Sequence, residues 1–258
     1  MNLIRISIIC FSLIVSTLFI SCKPEKKAES LNIFAAASLQ DVLSKTAEVY
    51  KKKKGIDLSL NFASSGILAR QIEQGADVDF FFSANHDWID YITKKGLLLS
   101  SSKLNLAQNK MALIVPAESQ LNDLKNLKPE QIISLFHGRV AIGDPHHVPA
   151  GKYAKEILTH HKLWGTLKYR ILPCKNARET LLMVEMGEAE LGIVYLSDAK
   201  KSKKVRCIYE FEESDTSSIL YYSAHRKKPN SKILDFQNFL KQADSKRIWK
   251  DYAFIVHD

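Results

Sequence analysis

Apolar residues along the chain recur with two alternating patterns, one typical of strands and one typical of helices. Short apolar runs have the length and composition of buried strands, and most are followed by a stretch in which apolar residues recur every three or four positions. Nine such strands are predicted at residues 31–34, 56–63, 79–84, 109–116, 139–143, 168–172, 190–195, 205–211 and 219–224. The first helix is expected to end at Gly55, short helical pieces are expected at 122–135, and residues 230–252 are predicted to be mostly helical. Strands that alternate with helices predict an α/β fold, with parallel sheets covered by helices.

Small polar residues stand where several predicted strands meet the next helix. Ser38 follows the first strand, and Asp41 lies three residues on, so Ser38 is expected to cap the helix in a capping box. Ser65 repeats the arrangement after the second strand. A helix start has unpaired N–H groups and a partial positive charge, which suit an anion. Ligands of open α/β sheets bind beyond the carboxyl ends of the strands. The junctions at these ends are Ser38, Ser65, Ala150, Ala177 and Tyr195.

The N-terminus is predicted to be a leader outside the fold. A basic residue precedes an apolar run at residues 6–20, which is short for a membrane span and typical of a secretory signal. The small residue before Cys22 resembles the lipobox of bacterial lipoproteins, although Phe19 stands where Leu is usual. We expect residues 1–21 to be a signal peptide and residues 22–30 a tether lipidated at Cys22. A signal peptide without lipidation and an uncleaved anchor are the alternatives.

Composition and charge narrow the classes of function. The chain has 258 residues, of which 46% are hydrophobic and 25% charged, as in a soluble globular protein of one or two domains. The net charge of +9 raises the question of nucleic-acid binding. The lysines are widely spread, and their densest runs lie at predicted helix ends, where they complement the helix dipole. A solvated basic surface is therefore favoured, and a basic lipoprotein that binds a host or nucleic acid is the weaker alternative.

The loop GDPHHVPAGK at residues 143–152 superficially resembles a phosphate-binding loop. Seven residues separate Gly143 from Gly151, and Tyr153 stands where Ser or Thr is required, so nucleotide hydrolysis is not predicted. The prolines are expected to stiffen the loop. Ala150 and Gly151 are expected to let a ligand approach the backbone where a helix begins.

Two other kinds of chemistry find little support in the sequence. The pairs His146-His147 and His160-His161 suggest a metal, but adjacent side chains point in different directions and no carboxylate lies at a ligand spacing. A surface role is therefore favoured for both pairs, and no direct metal ligands are expected. A serine hydrolase is conceivable, although no G-x-S-x-G sequence occurs.

Four segments carry a resemblance to a known family. They are FAAASLQDVL at 34–43, NFASSGILARQIEQGADVDFFFSA at 61–84, VAIGDPHHVPAGKYAKEIL at 140–158 and ELGIVYLSDA at 190–199. These segments resemble the periplasmic molybdate-binding proteins of ABC importers, the ModA family, in order from residue 31 to the C-terminus. The resemblance implies a type II periplasmic-binding-protein fold, in which two α/β lobes enclose a ligand cleft. Residues 31–112 and 198–258 would form lobe 1, and residues 113–197 lobe 2.

The resemblance also implies a binding site. In that family, hydroxyl and backbone N–H groups hold the oxyanion without a countercharge. The matching donors here are the hydroxyls of Ser38, Ser65 and Tyr195 and the backbone N–H groups of Ala150 and Ala177. Gly66 departs from the family where a third serine is common, as Ala177 does where valine is common. No cofactor is implied.

The expected function is that of an extracytoplasmic receptor without enzymatic activity. It would bind molybdate or tungstate as a monomer and deliver it to a membrane permease and its ATPase, from the periplasm or cell envelope, where lipidated Cys22 anchors it. A receptor for another tetrahedral oxyanion, such as sulfate, is the near alternative, and an exported serine hydrolase the more distant one. Phosphate is disfavoured because no Asp or Arg is expected at the proposed junctions.

Overall fold

The computed structural model of the protein describes residues 30–121, 131 and 136–256. The predicted signal peptide, the lipidation at Cys22 and most of the predicted tether lie outside the described residues. So do most of the short helical pieces expected between residues 122 and 135. The first strand begins at Ser30, which the prediction had assigned to the tether.

The first sheet has five strands and comes from both ends of the described chain. Its strands are β1 (Ser30–Ala36), β2 (Asp57–Ala63), β3 (Phe80–Ser83), β4 (Leu104–Gln108) and β10 (Leu220–His225). They lie in the order β2-β1-β3-β10-β4. Strand β1 is parallel to β2 and β3, whereas β10 is antiparallel to both of its neighbours.

The second sheet repeats this arrangement. Its strands are β5 (Met111–Pro116), β6 (Val140–Gly143), β7 (Ile171–Cys174), β8 (Leu191–Tyr195) and β9 (Val205–Glu210). Their order is β7-β6-β8-β5-β9. Here β6 is parallel to β7 and β8, and β5 is antiparallel to β8 and β9. The two sheets therefore have matching topologies in which β1, β2 and β3 correspond to β6, β7 and β8.

Helices connect the strands and cover the sheets. The described helices are α1 (Gln40–Lys54), α2 (Ser65–Glu73), α3 (His86–Lys94), α4 (Pro149–His160), α5 (Trp164–Leu167), α6 (Ala177–Glu185), α7 (Leu196–Lys201), α8 (Ser231–Leu240) and α9 (Ala243–Asp251). As predicted, α1 ends at Gly55, which adopts a left-handed conformation with φ of +69°. No helix in the described part of the chain is both long and apolar enough to span a membrane.

The apolar pattern of the sequence explains the core. Every residue of β3 and β8 is buried, as expected for central strands that helices cover on both faces. Beneath α1 and α8, aromatic rings pack edge to face, with 4.9 Å between the ring centroids of Tyr50 and Phe236. This packing joins the C-terminal helices to the first sheet.

Several predicted boundaries differ from the structure. The strand expected at 168–172 is Ile171–Cys174, because a turn that follows α5 occupies the preceding residues. The single helical region expected at the C-terminus is two helices, α8 and α9. Strand β4 was not predicted. Strand β9 pairs in the second sheet, whereas the resemblance implies that its residues belong to lobe 1.

Candidate functional site

Ser38 lies just past the end of β1, in a single 3-10 turn at Ala37–Leu39, and is only 4% exposed. Helix α1 has Leu39 at its N-cap and no side-chain cap. The predicted capping box of Ser38 and Asp41 is therefore wrong, because the intervening 3-10 turn moves the helix start away from Ser38. Instead, Ser38 Oγ accepts a hydrogen bond from Tyr221 Oη at 3.1 Å. The hydroxyl proton of Ser38 remains available for another acceptor.

Ser65 is fully buried at the first residue of α2. The cap of this helix is Ser64, whose Oγ accepts a hydrogen bond from the Ile67 N–H at 3.3 Å. Ser65 Oγ accepts instead from the N–H of Ala84, directly after β3, at 3.1 Å. Ser65 and Ser38 therefore share one property: each accepts a hydrogen bond from within the protein and keeps its own proton to donate.

Ala150 and Ala177 lie at the starts of two helices in the second half of the chain. Ala150 is the second residue of α4, after Pro149, and Ala177 is the first residue of α6. N–H groups at these positions have no acceptor within their own helix. The Asn176 side chain caps α6 by accepting from the Glu179 N–H at 2.9 Å, which leaves the Ala177 N–H for another acceptor.

Gly151 has a different role from the one expected. A Cβ atom at this position would lie 1.9 Å from the carbonyl oxygen of Gly143. The glycine therefore allows α4 to pack directly against the end of β6. The space beside it is occupied by protein backbone, so the expectation that Gly151 admits a ligand is wrong.

Tyr195 is the last residue of β8 and is 1% exposed. Burial raises the pKa of its hydroxyl well above the ordinary value, and the neighbouring Tyr221 adds to the effect. The hydroxyl therefore stays protonated. By distance and angle its oxygen has no hydrogen-bond partner among the described residues, although Tyr221 is near enough for a side-chain hydrogen bond to contribute to the raised pKa. The Tyr195 hydroxyl can therefore donate to a further acceptor.

Contacts connect the predicted residues across the two sheets. Tyr153, on the same helix as Ala150, donates a hydrogen bond to the Ala84 carbonyl at 3.4 Å. The N–H of Ala84 binds Ser65, so the first turns of α2 and α4 lie at one interface.

A second group of contacts surrounds Ser38. The ring of Tyr195 lies 5.7 Å from that of Tyr221, which binds Ser38. Helix α6, which begins at Ala177, packs against the 3-10 turn that holds Ser38. The structure thus places all five predicted residues along the interface between the two sheets.

Asn109 fixes the direction of the hydrogen bonds that end at Ser38. Its Oδ1 accepts from the N–H of Lys110 at 2.9 Å, and its Nδ2 donates to Ser197 Oγ at 2.8 Å. The same Nδ2 lies 3.5 Å from Tyr221 Oη. The amide nitrogen faces Tyr221, so the tyrosine accepts from Asn109 and keeps its own proton to donate to Ser38.

A partly buried ionic cluster lies beside these donors, and Asp198 is its fully buried member. Arg178, directly after Ala177, has its Nη2 atom 2.5 Å from Asp41 Oδ2 and 3.3 Å from Asp198 Oδ1. The expectation that no Asp or Arg lies at the junctions is therefore wrong. Arg178 is paired with two carboxylates, so its charge is already balanced within the protein.

Two groups of the cluster, Asp198 and Arg178, have shifted pKa values. Burial raises the pKa of Asp198 to about 7, Arg178 opposes the shift and Asp41 adds to it. For Arg178, burial lowers the pKa, but Asp198 and Asp41 outweigh it and the net shift is upward. The guanidinium stays charged and joins the first turns of α1, α6 and α7.

His147 connects the loop before α4 to the start of α2. Its carbonyl oxygen accepts from the N–H of Gly66 at 3.1 Å, and its Nδ1 lies 3.0 Å from Ser64 Oγ. A Cβ atom on Gly66 would lie 2.6 Å from that carbonyl oxygen and 2.7 Å from the Trp88 ring. This contact explains the glycine at a position where the resemblance suggested serine.

Ser64, His147 and Asp144 superficially resemble a hydrolase triad. The distance from His147 Nε2 to Asp144 Oδ2 is 3.8 Å, too long for a hydrogen bond. Ser64 Oγ also caps α2. These residues therefore form a structural contact between the two halves of the protein.

Sequence reasoning missed the groups that orient the donors, chiefly Tyr221, Asn109 and Arg178. Asn109 and Tyr221 lie in predicted strands, where a polar side chain is typically interpreted as surface. The signal for Arg178 was its place next to Ala177, because a charged residue beside a buried junction needs a partner.

Comparison with known proteins identifies the family. The model of the bacterial extracellular solute-binding protein family matches residues 31–255. The molybdate-binding protein ModA of Escherichia coli K12 is 38% identical over 231 residues, which are 88% of this chain and 89% of that protein.

Solved structures show the same fold. A substrate-binding domain assigned to a molybdenum ABC transporter of Clostridium difficile is 32% identical, with a TM-score of 0.68 over 89% of this chain and 99% of that one. The periplasmic molybdate-binding protein of Azotobacter vinelandii has a TM-score of 0.77 over 88% of this chain and 100% of that one, at 21% identity. The predicted periplasmic-binding-protein fold is confirmed. The chain belongs to the ModA family of bacterial extracellular solute-binding proteins.

Proposed function

We propose that the protein is the extracytoplasmic receptor of an ABC importer and binds molybdate or tungstate between its two halves. Ser38, Ser65 and Tyr195 donate from their hydroxyls, and Ala150 and Ala177 donate from their backbone N–H groups. The observation that carries this proposal is the direction of the hydrogen bonds at the serines. Tyr221 and Ala84 donate to Ser38 and Ser65, so both serines present protons to the ligand.

A site made only of donors selects its ligand by protonation state and size. A fully deprotonated tetrahedral dianion accepts from every donor, whereas protonated phosphate brings a hydrogen to a site with few acceptors. Sulfate is smaller and would leave some of the hydrogen bonds stretched. Each lost partner costs about 1–3 kcal/mol, enough for strong discrimination when several are lost.

Each sheet with its helices forms one lobe, and the chain crosses between them at residues 109–110 and 211–219. Ligand binding closes the cleft by a hinge motion. The Gly66–His147 and Arg178–Asp41 contacts cross this cleft and support the closed form. The membrane permease, which works with its ATPase, recognises that form. The receptor acts as a monomer, has no enzymatic activity and is held at the membrane through lipidated Cys22.

Calorimetric titration of the purified protein tests the oxyanion site. Molybdate and tungstate should bind tightly and sulfate much more weakly, and Ser38→Ala should weaken molybdate binding at least tenfold. Equal affinity for sulfate would support the near alternative, a sulfate receptor. Hydrolysis of generic esters that Ser64→Ala abolishes would support the hydrolase alternative.

A further inference from the structure

A second cluster of polar side chains lies at the far end of α4. His160 is the last residue of this helix and His161 is its C-cap. Asp215 ends a 3-10 turn at Glu213–Asp215, in the segment that joins β9 to β10. None of these residues belongs to the oxyanion site.

The two histidines converge on one carboxylate oxygen. Asp215 Oδ1 lies 3.1 Å from His161 Nε2 and 3.9 Å from His160 Nε2. One ligand atom from each of the three residues lies within 4.8 Å of the others. The expectation that adjacent histidines diverge is therefore wrong for this pair, because the helix ends between them and His161 has left the helical path.

Asp215 is only 7% exposed, and its other oxygen accepts a hydrogen bond from the Glu212 N–H at 2.8 Å. Within the described ranges, its ion-pair partners are the two histidines alone. A buried carboxylate needs a compensating positive charge. Here, that charge would come from the imidazoles or from a cation held between them.

The donor set suits a first-row divalent metal. Two imidazole nitrogens and one carboxylate oxygen are typical ligands of Zn²⁺, at about 2.0–2.2 Å from the ion. Tetrahedral geometry at these bond lengths places ligand atoms about 3.3 Å apart. The 3.1 Å between His161 Nε2 and Asp215 Oδ1, which form a hydrogen bond, is close to this value. His160 has a side chain that is 54% exposed, so it can move closer without repacking the core.

Solvent reaches the cluster through an open groove of about 640 Å³, which His160, Asp215 and Thr159 help to line. The groove leaves room for a water molecule or another small ligand at the fourth position of a tetrahedral ion. We propose that His160, His161 and Asp215 form a site for Zn²⁺ or a similar first-row divalent cation, separate from the oxyanion site. The ion links helix α4 to the segment that crosses between the lobes.

Titration of the purified, metal-free protein with ZnCl2 tests this proposal, with Co²⁺ as a spectroscopic probe. We expect one Zn²⁺ per chain, visible absorption bands of tetrahedral Co²⁺, and at least tenfold weaker Zn²⁺ binding in His160→Ala. His86→Ala is the matched control, because His86 is also exposed and lies 3.3 Å from a carboxylate oxygen of Asp90. That variant should bind Zn²⁺ as the unmodified protein does.

Unchanged Zn²⁺ affinity in His160→Ala would overturn the proposal, as would absence of the tetrahedral Co²⁺ spectrum. A parallel titration with molybdate shows whether a variant has lost cation binding, oxyanion binding or both. His160→Ala should bind molybdate normally if it has lost only the cation. A failure to bind molybdate in the unmodified protein would count against the oxyanion site and leave the cation result intact.

Discussion

Tyr221 Oη donates a hydrogen bond to Ser38 Oγ at 3.1 Å, although the two residues are 183 positions apart in the chain. Tyr221 is fully buried in β10 and Ser38 follows β1, so the contact spans the first sheet. Because it occupies an acceptor position of Ser38, it directs the serine proton toward the cleft. Tyr221 is thus a positioning residue for the proposed site.

Replacement of Tyr221 by phenylalanine should weaken molybdate binding about tenfold. Ser38 would lose its internal donor and would no longer be held in one orientation, and a loss of about 1.4 kcal/mol corresponds to a factor of ten. Calorimetry measures the dissociation constant. Tyr222→Phe is the control, since that residue is next in sequence, is less buried and lies beside His86. An equal loss of molybdate affinity in Tyr221→Phe and Tyr222→Phe would contradict the positioning role of Tyr221.

The neighbouring serines Ser64 and Ser65 should respond differently to alanine. Ser64 caps α2, so Ser64→Ala should lower the free energy of unfolding by about 1 kcal/mol. Ser65 is a proposed ligand, so Ser65→Ala should weaken molybdate binding at least tenfold. Thermal unfolding and calorimetry on both variants check the assignment. Normal molybdate affinity in Ser65→Ala would show that Ser65 only supports the end of β3.

Gly66→Ala should weaken molybdate binding by about one to two orders of magnitude. The new methyl group would overlap the His147 carbonyl and the Trp88 ring, and overpacking of this kind costs about 1–3 kcal/mol. Since the His147 contact crosses the cleft, part of that cost falls on the closed form. The measurement is the dissociation constant together with the melting temperature of the ligand-free protein.

The control for Gly66 is Gly165→Ala, because a Cβ atom there meets no other atom within 4 Å. That variant should bind molybdate normally. If Gly66→Ala lowers the melting temperature and leaves the affinity unchanged, the contact with His147 does not contribute to closure.

Asp198 should give the protein an unusual dependence of stability on pH. Burial raises its folded-state pKa to about 7, above the value of about 3.9 expected for an unfolded chain. Between these values the folded protein holds a proton that the unfolded chain has released. The free energy of unfolding contributed by this group therefore falls as pH rises from about 4 to 7, by at most about 4 kcal/mol.

Urea unfolding of Asp198→Asn at a series of pH values checks this prediction. In this variant the free energy of unfolding should no longer fall between about pH 4 and 7. Asp244→Asn is the control, because a hydrogen bond from Lys53 lowers the pKa of this surface carboxylate and moves its titration below the window. In the control, the free energy of unfolding should change with pH as it does in the unmodified protein. If the free energy of unfolding of Asp198→Asn still falls over this pH range, another group titrates in it.

The strands and helices were largely predictable because their periodicity follows from burial. Strand β3 is a run of buried residues, and the apolar run at residues 79–84 predicts it. Strand β4 was missed, since only Ala107 of its five residues is fully buried and edge strands carry a weaker apolar signal. The two C-terminal helices were merged because apolar spacing continues through their junction.

The chemistry of the site was less predictable than the positions of its residues. Ser38, Ser65 and Tyr195 are proposed from the family resemblance, and their places just after a strand, at a helix start and at a strand end follow from the fold. The direction of each hydrogen bond was not available, because Tyr221 and Asn109 reach the site only through tertiary structure. For the same reason, the histidine pair at 160–161 was assigned to the surface although Asp215 lies beside it.

The position of β10 between β3 and β4 has a consequence for how the protein folds. Until residues 220–225 have joined the sheet, the first lobe lacks a central strand and Ser38 lacks the tyrosine that orients it. The N-terminal two thirds of the chain therefore cannot assemble a functional half of the cleft. Ligand-binding competence should therefore arise late in folding, after nearly the whole chain is available.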